Sequence, residues 1–179
     1  MDDHTILGMI KNILDRVGLD SILQHADEKT PQERLMVYGG KDSHQRDLHM
    51  VLTAQTIEMS QQVSKDSDER AKAYVRIQLD ANFPFLVEDM AMAETAQFLH
   101  LLNLQVEVPG FYLNYLDNTI LYRYVLLADR EHIPQKILLS IIGVAMFFQD
   151  VFGQALERLA KGQVTFVELL QEIQKSLKS

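Results

Sequence analysis

The sequence predicts an α+β domain in which helices cover an antiparallel sheet of about five strands. The expected order is α-β-β-β-α-β-β-α, with a short extra helix at the C-terminus. Apolar residues recur every three or four positions in several segments, as in amphipathic helices, and alternate with polar residues in others, as in half-buried strands. The 179 residues, 47% of them hydrophobic, suffice for one domain over 1–179, with 163–179 as a helical extension.

The first third of the chain predicts one helix and two strands. Over Thr5–Val17 the apolar residues share one helical face. Leu19–Leu23 indicates a further turn or a short second helix. One strand is expected at Leu35–Tyr38 and should end at Gly39-Gly40. Another is expected at Leu48–Ile57, which is rich in Thr, Val and Leu.

The middle of the chain predicts a third strand and a second helix. Apolar and polar residues alternate strictly over Ala73–Asp80, so one face of this strand is buried. We expect Asn82-Phe83-Pro84 to break it. Helix-favouring residues dominate from Val87 to Leu102, and Asn103 is expected to cap the end of that helix.

The segment GFYLNYLDNTILYRYVLLAD (110–129) predicts a β-hairpin. Asp117-Asn118 is a plausible two-residue turn, because both residue types tolerate positive φ. In that register Tyr112 lies opposite Arg123 on one face. The other face is apolar or aromatic and is expected to lie beneath a helix, with three opposed pairs: Phe111 with Tyr124, Leu113 with Tyr122, and Tyr115 with Ile120.

Two helices are expected after the hairpin. The first runs over about Pro134–Ala160, with Pro134 in its first turn and Gly162 in the terminating position. Its longest apolar run, Ile137–Phe148, is too short to span a bilayer and indicates a buried core helix. Thr165 and Glu168 have the spacing of a capping box for the last helix.

The hairpin and the long helix resemble the YbjN-type branch of the type III secretion chaperone-like fold. The resemblance rests on LLNLQVEVPGFYLNYLDNTILYRYVLL and MFFQDVFGQALERLAKG, with Asn103, Gly110, Asp117, Asp150 and Gly162 as its main positions. The similarity in sequence covers residues 103–162, and the order of helices and strands is similar over most of the chain. It implies a compact, dimeric, non-enzymatic bacterial domain for chaperone-like binding or regulation.

Charge and composition narrow the classes of partner. The formal net charge is −8, and no Lys or Arg occurs from Ile77 to Tyr122. Such a surface would repel a phosphate backbone, so we expect no nucleic acid and favour a protein partner or a homodimer. The chain lacks cysteine, which excludes disulfides and thiol nucleophiles and suits a reducing cytoplasm. The acidic N-terminus is unlike a secretory signal, and we expect no membrane association.

No motif in the sequence predicts catalysis, a cofactor or a metal. The six histidines include no His-x-x-x-His pair, so surface positions are the expectation, also for His44 and His49. There is no Gly-x-Ser-x-Gly motif, and Gly39–Ser43 lacks the spacing of a phosphate loop. The Glu88-Asp89 pair begins a helix, where carboxylates favour the helix dipole.

The second helix and the hairpin supply the candidate partner-binding residues. The helix is apolar on more than one side, although burial on a sheet needs only one stripe, so the surplus predicts a dimer seam or a client groove. Tyr112 and Arg123 are expected to stack, either as a structural contact or as part of a partner site. The candidate residues are Met90, Met92, Phe98, Leu101, Leu102, Tyr112 and Arg123.

Three functional hypotheses remain open from the sequence. The first is a non-enzymatic, protein-binding domain with a chaperone-like or regulatory role. The second is a small-molecule sensor or enzyme with a pocket between the sheet and the long helix, where Gly143 and Gly153 leave room. The third is a structural subunit of a larger assembly.

Overall fold

The computed structural model describes residues 5–28, 30–57, 74–108, 110–130 and 132–176. Within these ranges the chain is α+β, with one antiparallel six-stranded sheet in the order β1-β2-β3-β4-β6-β5 and four α-helices, so the predicted class is confirmed with one strand more than expected. The elements are α1 Ile6–Arg16, β1 Ser21–Gln24, β2 Arg34–Lys41, β3 Asp47–Ile57, β4 Tyr74–Leu86, α2 Met92–Gln105, β5 Phe111–Asn114, β6 Thr119–Asp129, α3 Gln135–Ala160 and α4 Phe166–Ser176.

The chain divides into two compact units. The first contains the described residues of Met1–Tyr38, His49–Leu79 and Val125–Ile142. The second contains those of Gly39–Leu48, Asp80–Tyr124 and Gly143–Ser179. All side-chain arrangements discussed below as candidate sites lie within the second unit.

The additional strand, β1, belongs to the first unit and replaces a predicted helical turn. The predicted N-terminal helix is confirmed, and the Thr5 hydroxyl caps it by accepting a hydrogen bond from the Gly8 N–H at 3.0 Å. After Gly18, whose φ is +74°, the chain turns back and Ser21–Gln24 pairs antiparallel with β2. The prediction of a further turn or a short second helix was wrong because Ser21–Gln24 forms its backbone hydrogen bonds with the next strand, β2, and the helical spacing of Leu19, Ile22 and Leu23 does not indicate this pairing.

Two predicted strand ends were also wrong. The strand β4 continues through Asn82-Phe83-Pro84 to Leu86, because Phe83 and Phe85 keep the period of two and are buried on the core face. That burial outweighs the missing N–H of Pro84. Similarly, β2 passes through Gly39-Gly40 and ends at Lys41. Ala73, the first residue of the predicted third strand, lies outside the described residues.

The predicted hairpin exists, but its turn has four residues rather than two. The observed pairs include Phe111 with Tyr122 and Leu113 with Ile120, which differs from the prediction by two residues along β6. A shift of two keeps each strand residue on its expected face. Tyr115 is the exception, because it belongs to the turn and is exposed instead of facing the core.

Aromatic side chains form the core of the second unit. The Phe111 ring lies between Tyr122 on β6 and Phe148 and Phe152 on α3, with ring centroids 5.4 to 5.6 Å apart. Burial, together with the nearby Tyr124, raises the pKa of Tyr122 to about 12. Phe111 and Tyr122 are therefore core residues, as the sequence predicted, whereas Tyr124 is only half-buried and Tyr115 is exposed.

The two C-terminal helices match their predicted bounds and caps. Gly162 has a φ of +62°, and the amides of Gly162 and Gln163 bond back to Leu159 and Arg158, which is a Schellman ending for α3. The Glu168 carboxylate accepts from the Thr165 N–H at 2.8 Å, and the Glu168 N–H donates back to the Thr165 hydroxyl, which confirms the capping box. By length and composition alone, the 26 residues of α3 could cross a membrane, a test that core helices of soluble proteins also pass.

Candidate functional site

Short polar side chains shape the turn between β5 and β6. Asn118 has a φ of +56°, as expected from the predicted turn, whereas Asp117 is not among the described residues with positive φ. The Asp117 carboxylate accepts hydrogen bonds from the hydroxyl and N–H of Thr119, at 2.6 and 3.3 Å. The side-chain Oδ1 of Asn114 accepts one from the Leu116 N–H at 3.1 Å. These local bonds satisfy the turn and leave the side chains of Tyr115 and Leu116 in solvent.

Four large exposed apolar side chains lie in this turn or in the segments bonded to it, and we call these four residues the turn patch. Asn118 joins the surrounding segments, since its carbonyl accepts from the Val87 N–H at 2.8 Å and its Nδ2 donates to Asp89 at 2.9 Å. The end of β4 and the single 3₁₀ turn Asp89–Ala91 therefore lie beside the hairpin. The members and their exposed fractions are Leu86 55%, Met90 84%, Tyr115 64% and Leu116 96%.

The candidate residues on and before α2 lie in different environments. Met90 is in the turn patch, whereas Phe98 and Leu102 are buried and Met92 and Leu101 are half-buried. The helix contacts β5 and also α4, where the Phe98 and Phe166 rings meet at 6.5 Å. At least part of the extra apolar surface of α2 is therefore covered by other segments of the same chain. Partner binding by these residues stays a prediction.

Tyr112 and Arg123 are in contact on the face of the hairpin away from α3. The Arg123 Cζ lies 5.5 Å from the centre of the Tyr112 ring, which confirms the predicted stacking. Arg123 also donates from Nε and Nη2 to the two carboxylate oxygens of Asp80, at 2.7 and 2.9 Å. The hydrogen bond to Asp80 raises the pKa of Arg123, so this cation is fixed in position. Sequence reasoning found the stacked pair but missed Asp80.

Asn103 holds the outer edge of β5 instead of capping α2 as predicted. Its Oδ1 accepts from the Phe111 N–H at 2.7 Å, and its Nδ2 donates to the Phe111 carbonyl at 2.9 Å. Gly110 permits this approach, because a Cβ there would lie 2.7 Å from the Asn103 Cγ. We call this arrangement the Asn103 latch.

A charged network joins the β2–β3 loop to α3. Arg46 donates from Nη1 and Nη2 to the two carboxylate oxygens of Glu157, at 2.7 and 2.6 Å, and from Nε to Asp42 at 2.7 Å. The hydrogen bond from Arg46 lowers the pKa of Glu157, and burial opposes it only in part. Burial would raise the pKa of Asp42, but the hydrogen bonds from Arg46 and His44 outweigh it and lower that pKa.

Asp42, His44 and Glu157 also form a group that could hold a metal ion. Their potential ligand atoms all lie within 4.8 Å of one another. However, the Arg46 guanidinium already donates to both carboxylates, and a metal cation would have to compete with this fixed positive charge. The group is therefore better explained as an ion-pair network, which no motif spacing in the sequence predicted.

A cavity of about 210 Å³ lies next to this network. Its wall on the sheet side includes Phe83, Pro84 and Phe85, and its wall on α3 includes Gln149 and Gly153. A pocket between the sheet and the long helix, with room at Gly153, was one of the sequence hypotheses. The other glycine of that hypothesis, Gly143, does not line the cavity.

In comparisons with known proteins, no family model and no curated protein matches this chain. The resemblance to the YbjN-type domains therefore stays a prediction.

Proposed function

We propose that this protein is a non-enzymatic, protein-binding domain, chaperone-like or regulatory, that contacts its partner through the turn patch. The observation that carries the proposal is the placement of Leu86, Met90, Tyr115 and Leu116, each more than half exposed, in a single turn or in the segments bonded to it. Apolar side chains scattered singly over a surface need no explanation, but a group of large ones is typical of a protein interface.

The turn patch holds these side chains in solvent by fixed backbone structure. Asn118 bonds to both neighbouring segments, and Asp117 and Asn114 satisfy the turn itself. A partner therefore meets a largely preformed surface and loses little conformational freedom in ordering it. Fully burying one side chain of this size contributes about 1.5–3 kcal/mol. Because association itself costs about 4–15 kcal/mol, specific binding requires several members of the patch together.

The charges near the turn patch indicate the chemistry of the partner. Glu88, Asp89 and Asp117 border it, and no Lys or Arg occurs between Ile77 and Tyr122. An apolar centre with an acidic rim complements a partner segment that combines apolar anchors with basic residues. The binding should therefore weaken as the salt concentration rises.

The edge of β5 restricts how the partner binds. Although β5 is the last strand of the sheet, the Asn103 latch already occupies the backbone groups of Phe111. A partner strand cannot pair along the whole edge without displacing that amide. Contact between side chains is therefore the favoured mode, with strand addition secondary.

The test compares three versions of the protein in affinity capture from its native cell. Replacing Met90 and Leu116 together by Asp should abolish retention of the partner, whereas Val167→Asp, at an exposed apolar residue of α4, should not change it. Sedimentation velocity on the same proteins identifies a homodimer if wild type self-associates and the double variant does not. Equal behaviour of all three proteins in both experiments would refute the proposal.

A further inference from the structure

One residue in the wall of the cavity beside α3, Gln149, has a buried hydrogen-bond acceptor without a partner among the described residues. Gln149 is only 3% exposed, and its Nε2 donates to the Asn82 carbonyl at 2.8 Å. A carbonyl can only accept, so this bond fixes the orientation of the amide and makes the other terminal atom the oxygen. Among the described residues, nothing donates to that Oε1. An unpaired buried acceptor is costly, so the site favours a molecule that brings an N–H or O–H donor.

Negative charge predominates around the cavity. Its lining includes the carboxylates of Asp42, Asp150 and Glu157 but a single cation, Arg46. The guanidinium is shared between Asp42 and Glu157. Asp150 is exposed, and none of the ion pairs found among the described residues includes it. The electrostatic balance therefore favours a positive ligand and disfavours an anion, despite the presence of Arg46.

Aromatic rings provide the apolar side of the cavity. The Phe83 and Phe85 centroids lie 5.8 Å apart, and the Arg46 Cζ already lies 5.8 Å from the Phe85 ring. Ring faces attract cations, and the rings also accommodate short carbon chains. A volume of about 210 Å³ is below the roughly 300–1,000 Å³ typical of pockets for drug-sized ligands, so a small molecule is indicated.

From these observations together we infer that the cavity binds a small organic cation, one with an ammonium or guanidinium group on a short carbon chain. The N–H donors of the cation bond to the Gln149 Oε1, its charge is balanced by Asp150, and its carbon chain packs on Phe83 and Phe85. The inference is independent of the turn patch, because none of these residues belongs to that surface.

The direct test titrates the protein with three probes of similar shape and different charge. These are n-butylammonium, n-butanol and butyrate. Their binding is monitored through the side-chain amide resonances of Gln149 in NMR spectra. Butylammonium should shift these resonances in a saturable way and bind about tenfold or more tightly than the other two, the effect of one charge-assisted hydrogen bond. Equal binding of the three probes, preference for butyrate, or binding of none would overturn the inference.

Matched variants locate the binding. Asp150→Asn keeps the shape and should weaken butylammonium binding about tenfold, whereas Glu107→Gln, at an exposed carboxylate away from the cavity, should not. Gly153→Leu should fill the cavity and abolish binding, since a Cβ at Gly153 meets only the Phe83 ring, at an ordinary 3.9 Å. Gly143→Leu on the same helix is its control, because a Cβ there meets nothing within 4 Å. Unchanged affinity in both Asp150→Asn and Gly153→Leu would contradict the proposed site.

Discussion

The Asn103 latch leads to a quantitative prediction about stability. Replacing Asn103 by Ala leaves the N–H and C=O of Phe111 without the two hydrogen bonds of 2.7 and 2.9 Å. Both bonds are partly buried, and a typical one contributes about 0.5–1.5 kcal/mol net. We therefore expect Asn103→Ala to lower the free energy of unfolding by about 1–3 kcal/mol.

Gly110→Ala should be similarly costly, but for a different reason. The new Cβ would overlap the Asn103 carboxamide and displace it from Phe111. Overpacking of this kind costs about 1–3 kcal/mol. With Asn103 already replaced by Ala, the obstacle is gone, and Gly110→Ala should then cost less than about 0.5 kcal/mol, as for an ordinary surface substitution.

Urea denaturation of the four proteins in this double-mutant cycle measures the coupling. The expected coupling energy is about 1 kcal/mol or more. Gly143→Ala is the control for a glycine in open space, and it should stabilise the protein by about 0.5–1 kcal/mol through helix propensity. Costs of Asn103→Ala and Gly110→Ala that add within about 0.5 kcal/mol would refute the latch.

Three further predictions concern charge and backbone conformation. The carboxylate of Glu157 has a pKa below its usual 4.5, so its stabilising contribution is present above that pH and is lost as the pH falls through the lower folded value. Urea curves between about pH 5 and pH 3 should therefore show a smaller loss of stability in Glu157→Gln than in wild type. Gly162→Ala forces a side chain into a φ of +62° and should lower the free energy of unfolding by about 1 kcal/mol, seen as a lower Tm in circular dichroism. Arg123→Lys cannot keep both bonds to Asp80 and should cost about 1 kcal/mol in urea denaturation; an unchanged midpoint would show that the fork geometry is unimportant.

The sequence predicted correctly those features that depend on residues close together in the chain, such as helix caps and the alternation along a strand. The caps at Thr165 and Gly162 and the alternation along β4 depend on neighbouring residues, and the structure contains all of them. The hairpin was predicted in its faces but not in its register, because the choice between a two-residue and a four-residue turn depends on how Asn118 bonds to the end of β4. That contact involves a segment about thirty residues earlier in the chain.

The candidate sites were less predictable because their residues are distant in sequence. Arg46 and Glu157 are 111 residues apart, so no motif spacing indicates their ion pair. Gln149 looks like an ordinary helix residue until its burial and its bond to Asn82 are known. Met90 was identified from the apolar width of its segment, whereas Tyr115 and Leu116 were missed because the expected register placed Tyr115 in the core.

The most direct test of the proposed function places a photo-crosslinking residue, p-benzoylphenylalanine, at Leu116 in the native cell. Its control carries the same residue at Val167, which is also exposed but lies on α4. We predict one discrete crosslinked partner at position 116, lost when Met90 is replaced by Asp and absent at position 167. The same crosslinked species at both positions, or none at position 116, would contradict a partner-binding role for the turn patch.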